Sequence, residues 1–111
     1  MIVTKVKGFG LADLRTALLT HIVISGHAGS AKHGRDLVCA AVSALSINFV
    51  NGVEVLCGQD LHAEVSSGWL SVSVPSNECV QQLARSLVFG MSSLSQEYKR
   101  FVKMVLEEEV S

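Results

Sequence analysis

Two side chains in this sequence have the types and spacing for nucleophilic chemistry. Cys39 lies in an alanine-rich stretch, and His27 precedes it with eleven residues between them, flanked by Gly26 and by Ala28-Gly29. A thiolate attacks a carbonyl carbon readily, but it needs an imidazole within hydrogen-bonding reach to balance its charge and then to protonate the leaving group. Asp36 reads as the N-cap of the helix that carries Cys39, which sets the sulfur in the first turn. The helix start carries roughly half a positive charge, and thiols so placed have pKa values lowered from about 8.5 into the range of roughly 3.5 to 7.5. The Asp36 carboxylate works against that ionisation.

The other candidates are weaker. His33 sits between Lys32 and Arg35 in the glycine-bearing stretch before the helix and is a reserve base. His21 and His62 fall in alternating segments that read as strands, where a solvent-facing or satisfied core position is the simpler reading. Cys57 and Cys79 have no helix-start histidine beside them and read as structural thiols. The His and Cys spacings match no closed zinc pattern, so neither a metal nor another cofactor is expected. Glu107-Glu108-Glu109 reads as a solvated tail.

The elements that must position these residues follow from periodicity. Met1–Val6 and Ala17–Ser25 read as strands, with Gly8 and Gly10 marking a turn between them. Gly26 to Gly34 is rich in glycine and reads as a loop able to move. From Asp36 to about Val50 the apolar positions Leu37, Ala40, Ala41, Ala44, Leu45 and Phe49 trace one helical face, and Asp36, Cys39, Ser43 and Ser46 form a polar stripe opposite. Leu61–Ser66 and Trp69–Val74 alternate around Ser67-Gly68 and read as a hairpin closed by Pro75. Ser76 reads as the N-cap of a second helix with the stripe Val80, Leu83, Leu87, Met91 and Leu94. Tyr98–Leu106 suits a helical continuation or an edge strand. The order β-β-α-β-β-α, with a possible last strand, predicts an α+β fold: two layers, a mostly antiparallel sheet with two helices on one face.

The totals agree with one compact domain over residues 1–111, since 49% hydrophobic and 17% charged residues are the proportions of an ordinary folded chain. Lys, Asp, Asn and Gln break up the apolar runs, so no membrane span is expected, and the N-terminus lacks the layout of a secretory signal. Three cysteines, an odd number, argue for reduced thiols and a cytoplasmic location. A net charge of −1 without a Lys/Arg cluster argues against direct nucleic-acid binding.

The blocks Gly26-His27-Ala28-Gly29 and Gly34-Arg35-Asp36-Leu37-Val38-Cys39-Ala40-Ala41-Val42-Ser43-Ala44-Leu45 together resemble the signature of the ribosomal-processing cysteine protease family, Prp. The resemblance implies a homodimer and a strand after the second helix, so Phe101–Leu106 is expected to be extended. It implies an endopeptidase that removes a short N-terminal extension from a precursor of large-subunit ribosomal protein twenty-seven. His27 and Cys39 match the catalytic pair, Asp36 and Ser43 match supporting positions, and Gly26, Ala28, Gly29 and Gly34 belong to the loop that would admit substrate. In the mechanism so implied, Cys39 is acylated, His27 protonates the departing amine, and N–H groups of the first helical turn hold the oxyanion. The rival from another class is a non-enzymatic ribosome-assembly or ribosomal-protein-binding factor. A thiol redox protein is a poorer fit, because no resolving cysteine is near Cys39 in sequence.

Overall fold

The computed structural model describes residues 1–26, 32–66 and 69–110, and for residues 32–36 the course of the backbone alone. The order of elements is β1 (Ile2–Phe9), β2 (Leu18–Gly26), α1 (Lys32–Cys57), β3 (Glu64–Ser66), β4 (Trp69–Ser73), α2 (Glu78–Glu97) and β5 (Val102–Glu108). The expected α+β order is borne out, including the last strand. The sheet runs β3-β4-β2-β1-β5, antiparallel except where β5 lies parallel to β1.

Alternation along the strands decides which face is covered. Ile2, Thr4 and Val6 of β1 and Leu70 and Val72 of β4 are buried, while Lys5, Lys7, His21 and Ser71 lie on the opposite side. On β2 the phase slips: Lys7 pairs with His21 and Gly8 with Leu19, so Thr20 is an extra residue and both Leu19 and Ile22 reach the core. Val38, Val42, Phe49 and Val53 of α1 and Val80, Ala84, Leu87 and Met91 of α2 close over the buried face in one cluster. The helices run side by side in opposite directions: Gly52 faces Leu83, and Gly90 faces Leu45.

The buried stripe of α1 differs from the expected one. Leu37 is 72% exposed, and Ala40 and Ala44 face outward, whereas Val38, Val42, Ser46, Phe49 and Val53 face the sheet. Ser46 can occupy a core position because its hydroxyl donates to the Val42 carbonyl at 2.9 Å. The helix also begins four residues before Asp36 and extends to Cys57, where Gly58 at φ +64° ends it. Its segment Leu37–Cys57 is long and apolar enough to cross a bilayer by length and composition, contrary to the sequence expectation. Here that length serves to cover the sheet.

Three further expectations are corrected. His62 is not in a strand: it has a left-handed backbone (φ 51°), and its N–H is held by Asp60 Oδ1 at 2.8 Å, so β3 starts only at Glu64. The N-cap of α2 is Asn77, whose side chain accepts from the Val80 N–H at 3.1 Å, and not Ser76. Cys57 and Cys79, expected as free thiols, form a disulfide with Cα atoms 5.7 Å apart. The antiparallel helices bring the end of α1 to the start of α2, which spacing alone did not reveal. Cysteine count therefore no longer speaks for a reducing compartment. Thiol titration of the unfolded, unreduced protein should find one reactive sulfur per chain, and three after reduction; three at the outset would exclude the cross-link.

Nor is the acidic run a tail. Glu107 pairs with Lys5 at 3.2 Å and Lys7 at 3.7 Å across the open face of the sheet. Glu109 receives the Thr20 hydroxyl at 2.8 Å. The Glu108 carboxylate accepts the N–H groups of Gly10 at 2.7 Å and Leu11 at 2.9 Å, clipping the β1–β2 loop. Those donors, Leu11 first, hold Glu108 below its usual 4.5. A depressed folded-state pKa contributes stability above 4.5 that is lost as pH falls through the folded value. Glu108→Gln should thus lower the urea midpoint at pH 7, and the gap from the parent should narrow below pH 4.5. A gap independent of pH would remove the carboxylate from the account.

Candidate functional site

Cys39 is the eighth residue of α1, half-buried, packed against the core cluster and unpaired with any other cysteine. The expectation that it lies in the first turn is not met. The field of a helix start falls off within about one turn, and an amide eight residues in belongs to the helical ladder. The helix start therefore supplies neither the reason for thiolate formation nor, through the Cys39 N–H, the oxyanion donor. Asp36 is the fifth helical residue, not the cap; Gly34 and His33 belong to the first turn rather than to a loop. The side chains of His33 and Asp36 lie outside the described residues, as do His27, Ala28 and Gly29 entirely.

The segment that delivers His27 is well defined. β2 ends at Gly26, which has φ +100° and passes so close to the Met1 carbonyl that a Cβ would collide with its oxygen. Only glycine fits both conditions. The chain therefore leaves the sheet at a set point, one residue before the imidazole. Gly26 pairs with Ile2, and continuing the β2–β4 register past Ile24–Leu70 sets Ser25 level with Trp69. The end of β2, the start of β4 and the end of β3 thus share one end of the sheet.

The N-terminal half of α1 lies over that same end. Val42, Ser43, Ser46 and Ile47 of the helix meet Val65 and Trp69 of the hairpin around a groove of about 210 Å³. Ser43, one turn after Cys39, stands at its near end and is half-buried. The expected stripe of Cys39, Ser43 and Ser46 is thus only partly a solvent face: Ser46 is 4% exposed, and the stripe borders the groove. Sequence reasoning did not single out Ile47, Val65 or Trp69. Trp69, the only tryptophan, directly after Ser67-Gly68 in sequence, was the available signal; Ser67 and Gly68 themselves lie outside the described residues.

His21 is exposed on the open face of the sheet, beside the Thr20 hydroxyl at 3.2 Å. His62 lies 3.7 Å from Asp60, away from Cys39 in sequence and outside the groove. Among the described residues no three His, Cys, Asp or Glu side chains gather closely enough to share a metal ion. The arrangement that remains is an unpaired, half-buried thiol on a helix, a mainly apolar groove along the same helix, and the end of β2 at Gly26, the residue before His27 in sequence. Such a constellation suits attack on a carbonyl of an extended chain.

The family model for cysteine protease Prp matches residues 12–103. The ribosomal processing cysteine protease Prp of Bacillus subtilis is 30% identical over 84 residues, 68% of this chain and 75% of that protein. Its counterpart in Staphylococcus aureus is 26% identical over 90 residues, 78% of this chain and 85% of that protein. A solved structure from Streptococcus mutans superposes with a TM-score of 0.81 at 29% identity, covering 98% of this chain and 96% of that one. The S. aureus protease, solved with a substrate peptide, gives a TM-score of 0.76 at 18% identity, over 96% of this chain and 100% of that one.

Proposed function

Because the chain belongs to the Prp family of ribosomal processing cysteine proteases, we propose that it removes the N-terminal extension of a large-subunit ribosomal protein, number twenty-seven, with Cys39 as nucleophile and His27 as general base. The observation that carries the reading is Cys39 itself: the one cysteine outside the disulfide, half-buried on the helix whose next turns border a groove. The thiolate forms a bond to the scissile carbonyl carbon and the imidazolium gives its proton to the departing amine. Water then attacks the acyl-enzyme, delivering one proton through His27, and the sulfur leaves.

Gly26 fixes where the chain leaves the sheet, and the small side chains of Ala28 and Gly29 suit a segment that admits a peptide under this reading. Gly34 allows the backbone of α1 to begin close to that peptide. Asp36 and Ser43 lie three residues before and four after Cys39, on its side of the helix, which suits them to orient the base or the bound chain. Self-association belongs to the same reading, supported by Val55, Leu56 and Phe89, which leave apolar surface on the helical layer. A cytoplasmic location follows from the substrate class.

The test is direct. Incubated with the full-length extended ribosomal protein, the chain should convert it to a shortened form whose mass loss equals an N-terminal peptide. An unchanged mass under conditions where the mixture is folded would overturn the proposal.

A further inference from the structure

A second space lies away from Cys39. Gly26 pairs with Ile2 at one end of the β1–β2 ladder; this cavity sits toward the other, where Gly8 pairs with Leu19. Its floor is Val6 and Leu19, both fully buried, and its walls are Val88 of α2 and Met104 of β5. The β1–β2 loop roofs it through Leu11 and Leu14, which pack against the core. Side chains hold that roof at both ends. The Glu108 carboxylate takes the Gly10 and Leu11 N–H groups, and Arg85 Nε donates to the Ala17 carbonyl at 3.0 Å. The space of about 180 Å³ is thus built into the fold before any ligand arrives.

Its lining says what would fill it. No charged side chain belongs to it, so an ion would lose water and find no counter-charge. A neutral apolar body instead covers Leu106, which is 53% exposed at the mouth. One hydroxyl lines the space: Ser92 Oγ makes no hydrogen bond among the described residues, whereas Ser93 and Ser95 donate to the Phe89 and Ser92 carbonyls. In volume the cavity lies above the roughly 150 Å³ of an apolar cavity that takes benzene, and below the roughly 300 Å³ at which clefts for drug-sized molecules begin. That is room for one ring. The Met104 thioether favours an aromatic ring over an aliphatic body of equal size.

We propose that this cavity is a binding site for a neutral single-ring aromatic molecule carrying one hydroxyl or N–H group, which Ser92 holds. The site shares no lining residue with the groove beside Cys39, so the inference stands apart from the assignment of the nucleophile.

The probes are phenol, benzene and benzoate, added to the whole chain and followed through its assigned methyl resonances. Phenol should shift the methyls of Val6, Leu19, Val88 and Met104 saturably, with a Kd at or below ~1 mM. Benzene should shift the same methyls with an affinity about 2- to 10-fold weaker, the worth of one hydrogen bond, and benzoate should leave them unmoved. Ser92→Ala changes a half-buried helical position to the residue that best suits a helix, so the variant should fold. It should bring phenol down to the affinity of benzene and leave benzene unchanged. Phenol shifts that stay linear far above the millimolar range, or that centre on Ile47 and Val65 instead, would overturn the proposal. So would a phenol-to-benzene ratio that survives Ser92→Ala, or benzoate binding as tightly as phenol.

Discussion

Cys39→Ala is expected to abolish processing, lowering kcat/KM by at least ~10⁴-fold while the thermal midpoint moves little. The first part follows from the chemistry: without the sulfur no acyl-enzyme forms, and residual rate comes only from binding and orientation. The second follows from the site. Cys39 is half-buried, so its loss removes one sulfur atom from the edge of the core. His27→Ala should fall by about 10²- to 10⁴-fold, the usual worth of a general acid–base. Single-turnover measurement on the extended ribosomal protein checks both. Processing that survives Cys39→Ala would leave the chain as a binding factor with an idle thiol.

The candidate pair stands out in Gly26-His27-Ala28-Gly29 and the block around Cys39, because a glycine before a histidine and a thiol in a helical pattern are local features, and of these the described residues include Gly26 and Cys39. What failed was everything that depends on distant partners. The face of α1 was read one residue out, since Ala and Leu count as apolar while Ser46 counts as polar. In the fold Ser46 satisfies itself within its own helix and lies 4% exposed, while Leu37 is 72% exposed. Asp36 looked like a cap because aspartate favours that role; the helix instead begins at Lys32. The Glu107–Glu109 run looked like a tail because its partners, Lys5, the Gly10 and Leu11 amides and Thr20, lie nearly a chain length away. Cys57 and Cys79 meet only because two helices run antiparallel. The order of elements survived these errors, because strand alternation and the Ser67-Gly68 and Pro75 punctuation are read locally.

The second large effect concerns stability. Gln81 is fully buried on α2 and uses its amide as a piece of backbone. Its Oε1 accepts the Leu19 N–H at 2.9 Å, and its Nε2 donates to the Leu19 carbonyl at 2.7 Å and to the Pro75 carbonyl at 2.9 Å. Leu19 sits beside the extra residue in β2, where the ladder to β1 is interrupted. The side chain thus pairs with both main-chain groups of Leu19 as a neighbouring strand would. Gln81→Ala removes it and leaves buried main-chain groups without partners, at a cost of about 2–4 kcal/mol. That corresponds to a fall of roughly 10–20 °C in Tm for a chain of this size. Gln81→Glu, of equal length but unable to donate, should be at least as harmful at neutral pH. A fall of less than a few degrees for Gln81→Ala in a calorimetric scan would mean that water enters and replaces the amide.

The bond between Cys57 and Cys79 closes a ring, and β3 and β4 lie within it. Closing a loop of this length restricts the unfolded chain by about 3 kcal/mol. It also means that scission of the backbone at the hairpin tip frees nothing: the two pieces stay joined, heavier by one water, until a reductant parts them. Ile47 belongs to the helix that ends in Cys57 and so closes the ring, Val65 and Trp69 to strands inside it. Reduction would return that freedom to the unfolded chain, so both walls of the groove would lose the same support against unfolding.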